Sequence, residues 1–318
     1  MRQSTFIFAG LVVAIATYLL PRVLGNDYIF FAGYVVLQYI VLATAWNILG
    51  GYCGYVNFGT AGFFAIGAYT TVVIHKLFAM PMPVLVLAAG FVSGVIGLGM
   101  GYLTLRLRGV FFAIASLAMA VVLQTLMVNW DFVGGSRGAY IIRPQFVEIG
   151  GLQLPYIEYL FLWMLLLALG SLIIARSIEH SKLGYGFATI RDDELAAEAC
   201  GVPTLRLKLI ATTLSGALMG MAGAPFPYYI GYLEPASAFG LNYAVNAIAM
   251  PMIGGTTSWI GPLLGALLLG IVQQVATVTI SSAVNLLLVG VILVVFVIIA
   301  PNGIMGYVQA WQRKRSYK

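Results

Sequence analysis

The sequence predicts an all-α polytopic membrane protein, a bundle of about 8–10 transmembrane helices that forms one domain over residues 1–318. Hydrophobic residues make up 61% of the chain and charged residues only 8%, whereas a soluble domain carries roughly 25% charged residues. The stretch 235–312 contains no Asp, Glu, Lys or Arg. Because a charge at the centre of a bilayer costs several kcal/mol, this distribution favours burial in lipid.

Ten apolar stretches have about the length needed to cross a bilayer, which takes about 20 helical residues. The apolar run after Arg2 continues to about Leu24 without an A-x-A-like cleavage site, so we expect an uncleaved first span rather than a signal peptide. The eighth stretch is short enough to be a half-helix. The predicted spans are 5–24, 28–49, 60–79, 84–104, 109–130, 156–175, 205–224, 241–255, 262–280 and 283–300.

Lysine and arginine residues lie mainly on one side of this arrangement. Since positive residues accumulate on the cytoplasmic side of membrane proteins, we expect both termini in the cytoplasm, with a basic tail over residues 301–318. The predicted cytoplasmic side receives Arg2, Arg106, Arg108, Arg176, Lys182, Arg191, Arg206, Lys208, Arg313, Lys314, Arg315 and Lys318. The other side receives Arg22, Lys76, Arg137 and Arg143.

Two polar segments connect the spans. Residues 131–155 form a predicted external loop rich in turn-forming glycine, and residues 176–204 form the longest predicted cytoplasmic loop. Within the latter, residues 192–203 have the pattern of a short capped helix. Asp192 suits the N-cap, Gly201 the left-handed C′ position, and Pro203 prevents continuation. First-turn acids and helix-forming alanines complete the pattern: Asp193, Glu194, Ala196, Ala197 and Ala199.

Two interpretations of this helix remain open at this point. It is either a connector on the membrane surface, or an element that docks into the groove of a cytoplasmic protein. A helix of this length is only marginally stable alone and needs a surface to pack on. Its alanine face would permit close approach to a partner.

The segment resembles the loop by which ABC-importer permeases engage their ATPases. The Ala-Ala-x-x-x-Gly core of that loop corresponds to Ala196, Ala197 and Gly201. An acid usually precedes the two alanines directly in that family, whereas here Leu195 stands there and Glu194 comes before it.

A wider resemblance covers roughly residues 40–300 and is to the permeases of branched-chain amino-acid ABC importers, most of all the LivM-type family. Members of that family typically carry Ser and His where Asn57 and Thr60 stand here. The motifs that carry the resemblance are NILGGYCG at 47–54, GTAGFFAIGAY at 59–69, SKLG at 181–184, IRDDE at 190–194, AAEACG at 196–201, GA at 223–224, IGG at 253–255 and GPLLGA at 261–266.

The resemblance implies a permease subunit of the bacterial inner (plasma) membrane that moves branched-chain or other small neutral amino acids by alternating access. The implied partners are two cytoplasmic ABC ATPase subunits that bind ATP and Mg, a second homologous permease, a periplasmic or extracellular solute-binding protein and the lipid bilayer, with no nucleic acid. It implies no cofactor and no metal on this chain. The loop at 182–203 would couple to the ATPases through Arg191, Asp192, Asp193, Glu194, Ala196, Ala197 and Gly201.

Glycine is dense between residues 50 and 67, which disfavours a continuous helix. Irregular backbone at membrane depth survives only where it is buried in protein or lines a water-filled cavity. We therefore expect a first glycine-rich break (residues 51–60), bent or re-entrant and facing the translocation path, and a second glycine-rich break (residues 254–262). The path residues expected from both are Gly51, Gly54, Asn57, Phe58, Gly59, Thr60, Gly254 and Gly255.

Close helix packing is the alternative explanation for these glycines, and for the first break both explanations remain open. GxxxG spacing elsewhere favours packing. It occurs at Gly90/Gly94, Gly97/Gly101, Gly216/Gly220 and Gly261/Gly265.

Several classes of function are disfavoured by what the sequence lacks. No ionisable residue lies centrally in a predicted span, which disfavours proton coupling. The chain contains no Gly-Lys dipeptide and hence no P-loop, so ATP would have to bind elsewhere. It also contains no H-E-x-x-H or G-x-S-x-G motif, and it is expected to be a non-catalytic subunit. Two alternatives stay open: the same architecture importing urea, short amides or aromatic acids, and a stand-alone channel or ion-coupled carrier.

Overall fold

A computed structural model describes residues 3–78, 80–149, 151–279, 282–299 and 303–306. Most of the predicted basic tail therefore lies outside the described residues. The helices are α1 (Gln3–Leu24), α2 (Tyr28–Asn47), α3 (Thr60–Leu77), α4 (Met82–Thr104), α5 (Val110–Val128), α6 (Tyr156–Glu179), α7 (Lys182–Asp192), α8 (Glu194–Ala199), α9 (Thr204–Gly223), α10 (Phe226–Ile230), α11 (Pro235–Ala238), α12 (Leu241–Gly254), α13 (Ile260–Thr279) and α14 (Ser282–Ile299).

Each of the ten predicted spans coincides with a helix, and the prediction of a polytopic helical membrane bundle is confirmed. Within the described residues, six helical stretches are long and apolar enough to cross a bilayer. They are Tyr28–Tyr52, Met82–Thr104, Val110–Val128, Tyr156–Glu179, Thr204–Ile230 and Ile260–Thr279. The predicted eighth span is the 14-residue helix α12, which at about 1.5 Å per residue falls short of a bilayer's hydrocarbon core of about 30 Å.

Helix α2 forms the centre of the bundle and packs against α6, α9, α12 and α13. Its second half, from Leu37 to Asn47, is buried on every side. A helix that is apolar all round is expected at such a position, because only an outer helix needs one face for lipid and another for protein.

Glycines bring two helix pairs into backbone contact. A Cβ atom added to Gly67 in α3 would lie 2.0 Å from the carbonyl oxygen of Gly220 in α9. One added to Gly220 would lie 2.8 Å from the carbonyl oxygen of Ala89 in α4. Such approaches are possible only where glycine meets another glycine or a small residue, here Ala89 and Ser93, so the packing role predicted for the GxxxG glycine Gly220 is confirmed.

Two small antiparallel sheets lie at the end of the bundle away from the 182–203 loop. Strand β1 (Ala139–Tyr140) pairs with β4 (Tyr232–Leu233), and β2 (Phe146–Ile149) pairs with β3 (Leu152–Pro155). Arg143 donates hydrogen bonds from Nη1 to the carbonyl oxygens of Tyr228 and Tyr229. The 131–155 loop is thereby held to the segment that follows α9.

Candidate functional site

The 182–203 loop folds as two short helices, α7 and α8, against one end of the bundle. The hydroxyl of Ser181 caps α7 by accepting a hydrogen bond from the Gly184 amide at 3.4 Å. Phe187 and Ile190, three residues apart on one face, are buried against the bundle. The loop is therefore seated on the membrane helices rather than extended away from them.

The N-cap of the second helix is Asp193, so the prediction of Asp192 at this position is wrong by one residue. Asp192 ends α7, and its side chain is 72% exposed. Asp193 has the extended backbone that an N-cap requires, and its Oδ1 accepts a hydrogen bond from the Ala196 amide at 3.1 Å. The helix α8 is consequently shorter than predicted and begins at Glu194.

The C-terminal end of α8 matches the prediction at Gly201. This residue has a φ of +81°, and its amide donates to the Glu198 carbonyl at 2.9 Å. The Val202 amide donates to the Ala197 carbonyl at 3.0 Å. These two bonds form a Schellman motif, which needs a residue in the left-handed conformation at C′.

One face of α8 is open to solvent and the other contacts the bundle. Leu195 is 64% exposed, and Ala196 and Ala199 are exposed beside it. Ala197, by contrast, is only 5% exposed and faces inward. The predicted alanine face is thus divided between the two sides.

Glu194 points into the protein, where three elements meet it. Its Oε1 lies 2.7 Å from Nζ of Lys208 in α9 and 3.7 Å from Nε of Arg108 in the α4–α5 connection. Its Oε2 accepts a hydrogen bond from the hydroxyl of Tyr55 in the first glycine-rich break. Glu194 is therefore a contact to the membrane helices, not part of the exposed face of α8.

The Glu194 carboxylate is held in its charged form. Burial raises its pKa, but hydrogen bonds from Lys208 and Tyr55 and the positive charges of Lys208 and Arg108 lower it more, so its pKa lies below the ordinary value. The Glu194–Lys208 ion pair stabilises the folded protein fully above the ordinary glutamate pKa. This stabilisation is lost only as the pH falls through the lower pKa that Glu194 has in the folded protein. The ion pair is consequently intact at neutral pH.

The first glycine-rich break is confirmed as an interruption of the helix. A π-helical turn over Ile48–Tyr52 ends α2, and residues 53–59 are not helical before α3 begins at Thr60. Gly54 has a φ of +80° and lies against Arg191 of α7, whose Cγ is 3.0 Å from the position of an added Cβ. The Arg191 guanidinium also donates to the Gly51 carbonyl at 3.5 Å. The end of α7 thus rests on this break.

Polar side chains hold the remaining part of the break. The Asn57 Oδ1 accepts from the Gly59 amide at 2.7 Å, and the Ser116 Oγ of α5 accepts from the Phe58 amide at 2.9 Å. Trp46 donates from its indole nitrogen to the Asn57 carbonyl at 2.8 Å. Asn57 is 1% exposed, and its Nδ2 has no hydrogen-bond partner among the described residues.

The two glycine-rich breaks meet. A Cβ on Gly51 would lie 2.7 Å from the carbonyl oxygen of Thr256 in the second break. The Glu179 Oε2 at the end of α6 accepts hydrogen bonds from the Trp259 amide at 2.7 Å and from the Tyr52 hydroxyl at 3.3 Å. One carboxylate therefore joins the ends of both breaks.

Of the predicted path residues, the structure exposes Gly54, half-buries Phe58 and buries the other six within the chain: Gly51, Asn57, Gly59, Thr60, Gly254 and Gly255. Sequence reasoning missed three residues that connect the predicted sites: Tyr55, Glu179 and Lys208. Of these three, Lys208 gave a sequence signal, because it and Arg206 lie near the start of α9 and the rest of that helix carries no charge.

Comparison with known proteins gives a consistent result. Residues 28–297 match the family model described as "Branched-chain amino acid transport system / permease component". The chain is 28% identical to the high-affinity branched-chain amino acid transport system permease protein LivM of Salmonella typhimurium and to that of Escherichia coli K12, over 96% of this chain and 75% of each relative. It is 24% identical to a probable branched-chain amino acid transport permease protein LivH of Methanocaldococcus jannaschii, over 79% of this chain and 82% of that protein.

No solved structure matches the chain. The family match extends from α2 to α14 and so includes both glycine-rich breaks and the 182–203 loop. It covers most of the multi-pass bundle that the hydropathy predicts. The chain belongs to the family of branched-chain amino-acid ABC transporter permeases, whose members are non-catalytic transmembrane subunits, and it is LivM-like within that family.

Proposed function

We propose that this permease imports branched-chain or other small neutral amino acids by alternating access, driven by two cytoplasmic ATPase subunits that bind ATP and Mg. It works with a second homologous permease and receives its solute from a binding protein outside the membrane. Both termini and the 182–203 loop lie in the cytoplasm. Support for the substrate class comes from the relatives, which are named as branched-chain amino-acid permeases.

The exposed face of α8 is the observation that carries this proposal. Leu195 projects from a helix that is capped at both ends and anchored on its other face by Glu194. A short amphipathic helix held in this way fits an apolar groove on a soluble partner. Leu195, Ala196 and Ala199 form the docking face, with Arg191, Asp192 and Asp193 at its edge.

Reconstitution tests the proposal as a whole. Proteoliposomes that contain both permeases and the ATPases, supplied with the binding protein, should accumulate leucine, isoleucine or valine only when ATP is hydrolysed. Urea, short amides and aromatic acids serve as competing solutes. Transport by this chain alone, indifferent to ATP, would contradict the proposal and favour a channel or carrier.

Gly201→Val should weaken docking of the ATPase. A β-branched residue in the left-handed conformation costs roughly 1–2 kcal/mol, which is enough to undo the end of a helix that is marginal alone. Among the residues that the structure describes, none places an atom within 4 Å of an added Cβ at this position, so the effect is expected from the backbone and not from a clash. Pull-down of the ATPase by the variant is the measurement.

Gly201→Asn is the matched control, because asparagine tolerates the left-handed conformation. It should retain ATPase binding and uptake, while the valine variant inserts into the membrane but loses both. Equal binding by the two variants would refute the docking role of this helix.

The translocation path, we propose, borders the two glycine-rich breaks where they meet near Gly51 and Thr256. Asn57→Leu should slow uptake several-fold. The substitution removes the side-chain oxygen that accepts a hydrogen bond from the Gly59 amide, a bond that contributes about 1 kcal/mol. It also removes the Asn57 Nδ2 group, which has no partner among the described residues. ATPase pull-down should be unchanged. Thr71→Val, a buried change in α3 outside the break, is the control, and normal uptake by Asn57→Leu would remove residue 57 from the path.

A further inference from the structure

We infer that the contact among Glu194, Lys208 and Tyr55 is the link that transmits movement of α8 to the first glycine-rich break. The inference rests on the proposed function, because it presupposes that an ATPase moves α8. It assigns Tyr55 and Lys208 as positioning residues for transport, and it places Glu194 in the link rather than in the docking face.

The contact connects three separate parts of the chain. Lys208 Nζ lies 2.7 Å from Glu194 Oε1, 3.2 Å from the Tyr55 hydroxyl and 3.0 Å from the Leu105 carbonyl oxygen. The Tyr55 hydroxyl in turn donates to Glu194 Oε2. All three ammonium protons and both carboxylate oxygens therefore have partners, which fixes one geometry.

Burial distinguishes this contact from the other ion pairs of the loop. The side chains of Lys208 and Glu194 are 4% and 11% exposed, whereas those of Arg108 and Glu198 are 49% and 43% exposed. Exposed pairs contribute little, because water screens them. Partnered buried charges hold their positions strongly, since separating them would leave a charge without a partner.

Stability alone does not account for a charged pair at this place. Apolar residues of similar volume in place of a buried ion pair are often neutral or stabilising. An apolar contact, however, permits sliding, while hydrogen-bonded charges allow one arrangement. If α8 moves, a contact with one fixed arrangement carries that movement to the first glycine-rich break, whereas a sliding contact would not.

Tyr55 is well placed to pass the movement on. It follows Gly54, whose left-handed backbone marks a sharp change of direction, and its amide donates to the Leu49 carbonyl at 3.1 Å. Its ring packs edge-to-face on Phe112 of α5, with 5.2 Å between the centroids. Displacement of the Tyr55 hydroxyl would therefore move the break that joins α2 to α3.

Tyr55→Phe tests the link with little risk to folding, since the ring and the Glu194–Lys208 pair remain. The measurements are uptake, ATP hydrolysis, ATPase pull-down and thermal stability of the assembled complex. We expect pull-down and hydrolysis to persist while solute moved per ATP falls by roughly tenfold, the effect of one hydrogen bond to a charged group. Glu194→Gln should act in the same direction.

A matched triad at the other end of the bundle provides the control. Tyr18 donates to Glu158 Oε2 at 3.2 Å, and Arg22 lies 2.8 Å from the same oxygen. Tyr18→Phe should leave solute moved per ATP unchanged. An unchanged ratio in Tyr55→Phe would overturn the inference, as would an equal fall in both variants.

The outcomes separate this inference from the proposed function. If the chain does not work with an ATPase, the wild-type complex itself shows no pull-down and no ATP dependence. If the proposed function holds but the Glu194–Lys208–Tyr55 contact does not transmit movement, the wild type and Tyr55→Phe move the same amount of solute per ATP. A purely structural role for Tyr55 would lower thermal stability and pull-down together with uptake, leaving the ratio of solute to ATP unchanged.

Discussion

Replacing Gly265 by alanine should strongly lower the thermal stability of the protein. Gly265 of α13 faces α12 so closely that an added Cβ would lie 1.8 Å from the Met250 carbonyl oxygen and 3.1 Å from the Gly254 amide nitrogen. Both obstacles are backbone atoms, so no side chain can rotate away and the helices must separate. Overpacking typically costs about 1–3 kcal/mol, and we expect the upper end of that range or beyond.

The matched control is Gly170→Ala in α6. No atom of the described part of the chain lies within 4 Å of an added Cβ at this position, and alanine is favoured over glycine inside a helix by roughly 0.5–1 kcal/mol. Thermal unfolding in detergent should therefore show a clearly lower unfolding temperature for Gly265→Ala and no decrease for Gly170→Ala. Equal unfolding temperatures for the two variants would show that α12 and α13 can separate at no cost.

The membrane fold was predictable from sequence because its signal is local. A run of about 20 apolar residues has to be helical in lipid, and each run is recognised without reference to the others. The break after α2 was predictable for the same reason, since five glycines between residues 50 and 62 act on their own backbone. Gly201 belongs to this group as well, because its role depends on the helix that it ends.

Residue type alone does not locate a helix boundary where two suitable residues are adjacent. Asp192 and Asp193 are equally good N-cap residues by type. The choice depends on which backbone leaves the helical region, and α7 extends through Asp192 because it packs on the bundle. The error of one residue therefore has a tertiary cause.

Long-range contacts could not be read from the pattern at all. Tyr55 and Lys208 are separated by 153 residues, and Glu179 and Trp259 by 80. Hydropathy and periodicity describe faces and spans, not which polar side chains meet between them. Gly51 is another example, because its neighbour Thr256 belongs to the other glycine-rich break. The sequence pattern around Gly51 alone therefore does not distinguish close helix packing from a role in the translocation path.

Glu179→Leu should separate the two glycine-rich breaks and reduce both stability and uptake. The carboxylate accepts hydrogen bonds from the Trp259 amide and the Tyr52 hydroxyl through one oxygen. Hydrogen bonds to a charged group contribute about 1.5–3 kcal/mol, and the substitution would leave a partly buried backbone N–H without its acceptor. Thermal unfolding of the purified permease and uptake by the reconstituted complex are the measurements.

Glu179→Gln distinguishes the hydrogen bond from the charge. The amide oxygen of glutamine can accept from Trp259 in the same position, although neutral hydrogen bonds are weaker. We therefore expect Glu179→Gln to fall between the wild type and Glu179→Leu in both measurements. If the leucine variant unfolds and transports like the wild type, the contact between the breaks is maintained without Glu179, and the close approach of Gly51 to Thr256 alone holds them together.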